Sequence, residues 1–287
     1  MKKHSLLKTA ALTAGAYTLG LHGRKGHPDL ELLRKYRFAH RGYHDKPAVP
    51  ENSLPAFRRA IAHGWGAELD VHLMKDGTLA VIHDSSLLRT AGADVQIEEL
   101  TCEELENYRL EGTDERIPLF DEVLALFENT TPLIIELKAA NGNHFALSKA
   151  VCERLDTYRG TYCIESFDPA VVADVRTLRP GICRGQLAEN FLRDKGALDP
   201  VRSVLATSLI GNAIGKPDFI AFRFEDRACL SNVLCLRLWG SGTAYSMDLE
   251  SEDCGELIIR CGRVWIQDHL ELILMSRLFK FEIKRMK

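Results

Sequence analysis

Short apolar runs alternate with amphipathic helical patterns along most of this chain. The runs with the length and apolar content of buried strands lie at residues 36–40, 67–72, 132–138, 161–165, 182–187, 218–223, 243–247 and 263–267. Helical patterns separate most of them, for example at Leu54–His63, Thr101–Leu110, His144–Tyr158 and Pro169–Leu178, and Thr101 and Glu104 predict a capping box at the second of these. Strands that alternate with helices predict a parallel sheet, and eight such units predict an α/β fold in which the sheet closes into a (β/α)8 TIM barrel.

The length of 287 residues fits one barrel domain. We predict that this domain spans residues 28–287 and that residues 1–27 form an arm in front of it. Lysines precede an uncharged run, Thr9–Leu21, which is shorter than the ~20 residues that a bilayer-spanning helix needs. A signal-like segment or anchor, a membrane-surface helix and a simple N-terminal arm remain alternatives for residues 1–27.

The composition is that of a soluble globular protein, with 46% hydrophobic and 27% charged residues. The net charge of −3 and the pI near 6.4 argue against nucleic acid as a partner. The 8 cysteines include no C-x-x-C pair, so neither a zinc ribbon nor a redox motif is indicated. We expect them to be reduced thiols, which predicts a protein of the cytoplasm or attached to the cytoplasmic membrane rather than a secreted one.

A β-hairpin is expected directly after the second strand. Asp76-Gly77 is a strong two-residue turn signal with strand-like residues on both sides. The interval up to His83 is too short for the helical crossover that joins parallel strands. With those two residues as the turn, Asp70 lies directly opposite His83, and such a pair has Cβ atoms ~5 Å apart.

Polar residues stand at the C-terminal ends of the predicted strands, where barrel enzymes build their sites. They are His40, Asp70, Glu136, Glu165 and Gln186. Glu68 shares one face of its strand with Asp70, and Glu136 shares one with Lys138, because alternate strand residues point the same way. Oxygen-only ligands favour Mg²⁺ or Ca²⁺, and histidines can move protons near neutral pH. The pattern therefore predicts a site for a divalent cation and a phosphate.

Five short blocks carry a resemblance to a known family. They are His-Arg-Gly at 40–42, Glu-Asn-Ser at 51–53, Glu-Leu-Asp at 68–70, His-Asp at 83–84 and Glu-Leu-Lys at 136–138. From about Tyr36 to Trp239 the chain resembles the glycerophosphodiester phosphodiesterase family. The resemblance implies a TIM barrel, one divalent cation (Mg²⁺ or Ca²⁺), and hydrolysis of glycerophosphodiesters to glycerol 3-phosphate and an alcohol.

The resemblance also implies roles for individual residues. The implied metal ligands are Glu68, Asp70 and Glu136. The implied acid–base pair is His40 and His83, and the sequence leaves open which of them is the acid in the first step. The implied contacts to the phosphate or the glycerol are Arg41, Glu51, Asn52, Lys138 and Tyr245. One route that the resemblance admits is attack by the substrate's own glycerol hydroxyl, followed by opening of a cyclic phosphate by water.

Some regions depart from the family pattern. The seventh strand reads Thr-Ala-Tyr-Ser-Met at 243–247, where the family carries tryptophan followed by threonine, so Tyr245 is the expected aromatic residue there. The long connection at about 188–216 contains the apolar stretch Val201–Ile214, which is either an extra helix packed on the barrel or a lid over a hydrophobic substrate tail. The tail 270–287 is either the closing helix of the barrel or a basic, apolar segment that lies on a membrane.

Three functions are compatible with these features. The first is a phosphodiesterase that acts on small glycerophosphodiesters, and the second is a lysophospholipase D-type enzyme that acts on lysophospholipids. The third is a non-catalytic relative that binds lipid headgroups at a membrane surface. The intact histidine pair and acidic trio favour an enzyme.

Overall fold

A computed structural model describes residues 12–193, 198–223, 226, 228–239, 243–247 and 256–257. Its strands are β1 (Phe38–Ala39), β2 (Gly66–Leu73), β3 (Leu79–Val81), β4 (Leu133–Leu137), β5 (Tyr162–Ser166), β6 (Arg184–Ala188), β7 (Phe219–Arg223), β8 (Thr243–Met247) and β9 (Glu256–Leu257). In the sheet they follow the order β8-β7-β6-β5-β4-β2-β1-β9, and β3 pairs with β2.

The predicted parallel sheet is confirmed over its first seven strands. The pairs β1–β2, β2–β4, β4–β5, β5–β6, β6–β7 and β7–β8 are all parallel, as in a TIM barrel. β9 runs antiparallel beside β1. The predicted eighth strand at 263–267 and the tail 270–287 lie outside the described residues.

Helices lie between the strands and begin where the sequence supplies capping groups. Residues 12–20 are helical and form α1. The other helices are α2 (Pro28–Leu33), α3 (Leu54–Ala62), α4 (Leu88–Ala91), α5 (Cys102–Leu105), α6 (Phe120–Phe127), α7 (His144–Leu155), α8 (Pro169–Leu178), α9 (Pro200–Ser208), α10 (Asn212–Gly215) and α11 (Leu230–Trp239). A 3₁₀ turn covers Ile97–Glu99. Asp168 caps α8 by accepting a hydrogen bond from the Ala170 amide, with Pro169 in the first turn.

Alternation along β2 separates the two sides of the sheet. Leu69 and Val71 are fully buried in the larger core, which packs the sheet against its surrounding helices. The alternate residues Glu68 and Asp70 point to the other side of the strand. That side faces a second apolar cluster that includes Phe38, Ile134, Cys163, Cys183 and Phe219. Glu68 and Asp70 therefore lie on the same side of the sheet as this second apolar cluster.

The hairpin after β2 is confirmed, but the predicted register is wrong by one residue. His72 pairs with Ala80, and the Ile82 amide donates to the Asp70 carbonyl oxygen at 3.0 Å, so Asp70 is opposite Ile82 and not His83. The turn spans residues 75–77, because Met74 and Thr78 close it with a 2.8 Å hydrogen bond. Gly77 accommodates this longer turn in a left-handed conformation with φ 87°.

The expected helix at Thr101–Leu110 is shorter than predicted. Thr101 and Glu104 form the expected capping box, but the helix ends at Leu105. Leu105 and Leu110 are both buried in a small core beside the hairpin. In a continuous helix, Leu105 and Leu110 would point in different directions. The turns after Leu105 allow both side chains to enter the same core.

The residues in front of the first strand are packed onto the barrel. Leu21 is fully buried, and the Tyr17 hydroxyl donates to the Ser208 carbonyl oxygen at 2.7 Å. Arg24 binds both carboxylate oxygens of Asp218 at 2.6 Å. Within the described ranges, no helix has the length and apolar character required to cross a bilayer.

The cysteines that the structure describes form no disulfide bonds with one another. They are Cys102, Cys152, Cys163, Cys183, Cys229 and Cys235. Cys254 and Cys261 lie outside the described residues.

Candidate active site

Three buried carboxylates converge at one end of the sheet. Glu68 and Asp70 belong to β2, and Glu136 belongs to the neighbouring strand β4, where it pairs with Asp70 in the parallel register. One oxygen atom from each carboxylate lies within 4.8 Å of the other two. The predicted acidic trio is therefore assembled by the pairing of two strands.

The donor set of this trio fits a hard divalent cation. All three ligands are carboxylates, and Glu68 Oε1 is buried without a hydrogen-bond partner among the described residues. Lys138 lies beside them, with Nζ 3.0 Å from Asp70 Oδ1 and 2.7 Å from Glu136 Oε1. Arg41 Nε also lies 3.7 Å from Asp70 Oδ2, so two positive groups face three buried carboxylates and a cation would complete the site.

The protonation of the trio reflects this crowding. Burial raises the pKa of Glu68 well above its usual range, and the neighbouring carboxylates add to the rise. Burial acts in the same direction on Asp70, but Lys138 and His83 outweigh it and hold the pKa of Asp70 below its usual range. A bound cation would favour the charged forms and release protons from the site.

His40 follows β1 and lies next to the trio. Its Nε2 is 3.9 Å from Glu68 Oε2. Burial lowers the pKa of His40 to about 3, and the positive charge of Arg41 adds to this effect. The imidazole is therefore neutral near pH 7 and able to accept a proton.

His83 is held by a second set of contacts. Its Nδ1 is 2.6 Å from Asp84 Oδ1, and its carbonyl oxygen is 3.2 Å from Nε2 of the buried residue His72. His72 is fixed in turn by Glu98, whose Oε1 lies 2.7 Å from His72 Nδ1. Burial lowers the pKa of His83, against the opposing effect of Asp70 and Asp84.

Arg41 and Asn52 are hydrogen-bonded to each other and to the acidic trio. Both have left-handed backbones, with φ 55° and φ 52°, and the Asn52 amide donates to the Arg41 carbonyl oxygen at 2.8 Å. The Arg41 amide donates to Glu68 Oε2 at 3.0 Å, and Asn52 Nδ2 donates to Asp70 Oδ2 at 2.8 Å. Strained backbone that is fixed by several contacts is typical of functional sites.

Glu51 is the centre of a group of cations. It accepts hydrogen bonds from Arg41 Nη1 at 3.0 Å, from Arg89 Nη2 at 2.6 Å and from Lys46. Burial tends to raise the pKa of Glu51, but the hydrogen bonds and charges of these partners hold it well below its usual range. The carboxylate therefore orients cations beside the trio, and Arg89 connects it to Asp84.

Glu165 and Gln186, the other two polar strand ends, have different surroundings. Glu165 on β5 pairs with Glu136 in the register and is buried. Burial raises the pKa of Glu165 to about 8, with a contribution from the charge of Glu136. Gln186 Nε2 instead donates to the carbonyl oxygens of Ser166, Phe167 and Leu187, so this amide supports the backbone.

The remaining predicted contact, Tyr245, is placed by its backbone alone. Tyr245 lies on β8 and pairs with Ala221 of β7 in the parallel register. Ala221 belongs to the interior apolar cluster.

Sequence reasoning missed several residues that organise the site. Arg89 binds Glu51 and Asp84, Lys46 binds Glu51, and Glu98 binds His72. The positions of Arg89, Lys46 and Glu98 follow no regular spacing in the sequence. His72 is buried and lies behind His83, next to its carbonyl oxygen. Only Asp84 carried a local signal, because it directly follows His83.

A cavity of about 230 Å³ opens beside these groups. Its wall includes His83, Glu136, Lys138, Ser166 and Phe167. An imidazole, a carboxylate and an ammonium group therefore face one small space, which suits an anionic ligand with exchangeable protons.

The comparison with known proteins agrees with this arrangement. The model of the glycerophosphoryl diester phosphodiesterase family matches residues 40–212, which is more than half of the chain. The chain belongs to this family. The matched segment contains all the candidate site residues except Tyr245.

Individual relatives extend the comparison. The chain is 35% identical over 161 residues to a glycerophosphodiester phosphodiesterase of Caldanaerobacter subterraneus, covering 52% of this chain and 65% of the relative. It is 37% identical over 121 residues to a human lysophospholipase D, covering 38% of this chain and 37% of that protein. The match to the bacterial relative thus spans just under two thirds of that protein's own length.

A solved structure shares the fold. The chain superposes on a phosphodiesterase of Oleispira antarctica, solved in complex with the product sn-glycerol-3-phosphate, with a TM-score of 0.58 and 22% identity. The superposition covers 75% of this chain and 85% of that protein. This likeness supports the TIM-barrel fold.

Proposed function

We propose that this protein hydrolyses glycerophosphodiesters to glycerol 3-phosphate and an alcohol, with the help of one divalent cation, Mg²⁺ or Ca²⁺. The observation that supports this most directly is the convergence of a buried carboxylate trio with two histidines at one end of the sheet. Membership of the glycerophosphoryl diester phosphodiesterase family supports the same reaction.

Each group in the site has a proposed role in this reaction. Glu68, Asp70 and Glu136 would hold the cation, which would polarise the phosphate and fix its position as a Lewis acid. Arg41 and Lys138 add positive charge next to it, and such charge stabilises a phosphorane-like transition state. Glu51 and Asn52 hold the Arg41 loop in place. Tyr245 is proposed to lie against the glycerol.

His40 and His83 move the protons in this proposal. Attack on phosphorus requires removal of a proton from a hydroxyl group, and departure of the alcohol requires the return of one. Both imidazoles have a pKa below the ordinary value because they are buried, so both are neutral before substrate binds. One of them accepts the first proton, and the other delivers a proton to the leaving alkoxide after the phosphate has raised its pKa.

The decisive experiment measures release of glycerol 3-phosphate from glycerophosphocholine in Mg²⁺, in Ca²⁺ and in EDTA. We expect release in at least one cation, none in EDTA, and loss of about two orders of magnitude or more in His40→Ala and in His83→Ala. His63→Ala is the matched control, because His63 is an exposed histidine that contacts the aromatic rings of Tyr43 and Trp65.

Equal activity in EDTA would contradict the role of the cation. Retention of full activity in both histidine variants would contradict the acid–base assignment. If no diester is cleaved with any cation, the non-catalytic function of lipid-headgroup binding replaces the proposal.

We also propose that the protein acts in the cytoplasm or at the cytoplasmic face of a membrane. Free thiols at all described cysteines support a reducing compartment. α1 exposes Leu12 and Leu19, which supports contact with a membrane surface. The barrel domain is proposed to cover residues 28–287, with residues 1–27 as an arm. Recovery of the native protein outside the cytoplasmic and membrane fractions of its cells would contradict this location.

A further inference from the structure

A second and larger cavity adjoins the candidate active site. Its volume is about 690 Å³, against about 230 Å³ for the cavity at the histidines. Phe167 and Asp168 belong to the walls of both cavities. The two spaces are therefore neighbours, and Phe167, which follows β5, stands at their boundary. We call the larger space the apolar cavity.

The apolar cavity lies at the C-terminal ends of β5 and β6, under α9 and the turn that leads to α10. Most of its wall is hydrocarbon, which includes Leu187, Phe191, Leu198, Leu205, Leu209 and Ile210. Phe167 and Phe191 meet edge to face, with ring centroids 6.1 Å apart. Gly211 packs so closely on Pro169 that a Cβ atom there would lie 2.5 Å from the proline Cβ. The apolar stretch after β6 thus packs over the start of α8.

Several polar groups in this wall are bound by the protein itself, whereas Gln186 Oε1 and Asn212 Oδ1 are buried without a described hydrogen-bond partner. Asp168 accepts a hydrogen bond from the Ala170 amide at 2.8 Å, and Gln186 Nε2 is bound to three carbonyl oxygens. Arg202 pairs with Asp199 at 3.2 Å. A polar ligand would lose its hydrogen bonds to water here with few replacements, whereas a hydrocarbon chain would gain from burial.

We propose that the apolar cavity binds the acyl chain of a lysophospholipid whose phosphodiester occupies the neighbouring site. This inference rests on the proposed phosphodiesterase function and names its substrate class. An apolar chain continuous with a phosphodiester fits both spaces, because His83 and Lys138 line the smaller cavity and hydrocarbon forms most of the wall of the larger one. The volume lies within the range of ~300–1,000 Å³ of cavities that bury most of a small ligand.

The reaction is the same hydrolysis on a longer substrate. Water adds across the bond between phosphorus and the oxygen of the headgroup alcohol. The hydroxyl group remains on phosphorus and the proton passes to the alcohol, so the products are an acylated glycerol phosphate and the free alcohol. The acyl ester is not touched.

The test compares glycerophosphocholine with hexanoyl, octanoyl and decanoyl lysophosphatidylcholine, each kept below its micelle concentration. We expect KM to fall roughly threefold for each added methylene until the apolar cavity is filled, with little change in kcat. Leu205→Gln and Ile210→Gln should each raise KM for the decanoyl substrate about tenfold, because a polar amide would replace a hydrophobic contact. Glycerophosphocholine turnover should not change in either variant.

Val201→Gln is the matched control. Val201 lies one turn before Leu205 on α9, is 68% exposed and is not part of the cavity wall, whereas Leu205 is 48% exposed and forms part of it. Both substitutions put glutamine on an exposed helix surface, so a general effect on folding would appear in both. Equal effects of the two on the decanoyl substrate would overturn the proposal.

A binding measurement separates failure of this proposal from failure of the phosphodiesterase function. His40→Ala retains the cavity wall, so calorimetric titration with decanoyl lysophosphatidylcholine should detect binding that Leu205→Gln weakens about tenfold in the same background. Cleavage of glycerophosphocholine without any dependence on acyl length would overturn the cavity assignment and leave the phosphodiesterase in place. Binding of phosphatidylcholine vesicles but not of monomeric lysolipid would also overturn it, in favour of contact between this face and a bilayer.

Discussion

At the scale of single residues, the environment of His83 decides what its imidazole can do. Asp84 holds Nδ1 at 2.6 Å and leaves the other ring nitrogen for the substrate side of the ring. Arg89 binds Asp84 and also Glu51, so the orientation of this histidine is coupled to the group of cations around Arg41. Fixing a histidine through its second nitrogen is a common way to set both its tautomer and its direction.

The first prediction concerns Asp84→Asn. Asp84 raises the pKa of His83 against the lowering caused by burial, so its loss lowers that pKa further. The acid limb of the pH profile of kcat/KM, which is set by protonation of the free imidazole, should therefore move to lower pH. We also expect kcat/KM at neutral pH to fall about tenfold to a hundredfold, because the ring loses its orienting partner.

Steady-state kinetics between pH 5 and pH 9 test this, taken as roughly the range in which an imidazole titrates. Asp94→Asn, an exposed carboxylate in the same connection, is the control. An acid limb that stays in place in Asp84→Asn would show that Asp84 does not act on the charge of His83.

Glu165 provides the second prediction. Burial and the charge of Glu136 raise its pKa from 4.5 to about 8 in the folded protein. A raised folded-state pKa contributes stability that is fully present below the unfolded value and is lost as pH rises through the folded value. In EDTA the wild type should therefore lose stability between about pH 4.5 and pH 8 relative to Glu165→Gln, by a Tm difference on the order of 5 °C.

Thermal unfolding of both proteins across this pH range checks the expectation. The neutral amide of the variant keeps the shape of the carboxyl group without its charge, so other titrating groups cancel in the comparison. Parallel Tm curves over the whole range would contradict it.

At the scale of elements, the pairing of β2 with β4 brings the acidic trio together. Asp70 and Glu136 are register partners in adjacent parallel strands, although the chain between them includes the hairpin and α6. The hairpin adds His83 at the end of β3, and its one-residue difference in register shows how sensitive this placement is to the turn. A residue at the end of a strand keeps some freedom of direction, so His83 reaches the site without lying opposite Asp70.

The third prediction concerns the contact between β6 and β7. A Cβ atom on Gly185 would lie 2.2 Å from the ring of Phe219, its register partner, which is 1% exposed. Gly185→Ala should therefore lower the free energy of unfolding by about 1–3 kcal/mol, because the ring has little room to move. Gly181→Ala is the matched control, since a Cβ there meets no described atom within 4 Å.

Urea unfolding of the two variants tests this prediction. We expect a lower midpoint in Gly185→Ala at an unchanged denaturant slope, and a midpoint close to the wild type in Gly181→Ala. Similar midpoints for the two variants would mean that the interior adjusts to the extra methyl group.

At the scale of the whole molecule, the described residues in front of the first strand are bound to the barrel. Arg24 forms a bidentate ion pair with Asp218, whose side chain is fully buried, and it also donates to the carbonyl oxygen of Ile182 at 2.9 Å. Asp218 precedes β7, and its carboxylate also accepts from the Arg184 amide of β6. The segment before the first strand thus shares a network with two barrel strands.

The fourth prediction is that Arg24→Met destabilises the protein by about 2 kcal/mol, because it leaves a buried carboxylate with fewer partners. Lys25→Met is the control, since Lys25 is the exposed neighbour of Arg24. Chemical denaturation measures both, and limited proteolysis would report whether the arm opens first. Equal stability of the two variants would show that the ion pair contributes nothing measurable.

The layout of the strands and the identity of the chemical groups follow from local patterns in the sequence. Buried parallel strands need apolar runs, and their ends need turns and caps, so strand positions such as 243–247 and the cap at Asp168 are visible in local patterns. Carboxylates and histidines that follow apolar strands are equally visible, because such residues are rarely placed there without a partner.

Which of these groups meet depends on the packing of the folded chain. The hairpin register depended on whether its turn used two or three residues, a choice that Gly77 permits and no local pattern fixes. Arg89 binds Glu51 across 38 positions, and α9 forms part of the wall of a cavity that begins at Phe167, directly after β5. Such contacts depend on how strands and helices pack in three dimensions, since side chains distant in sequence come together only when the sheet has formed.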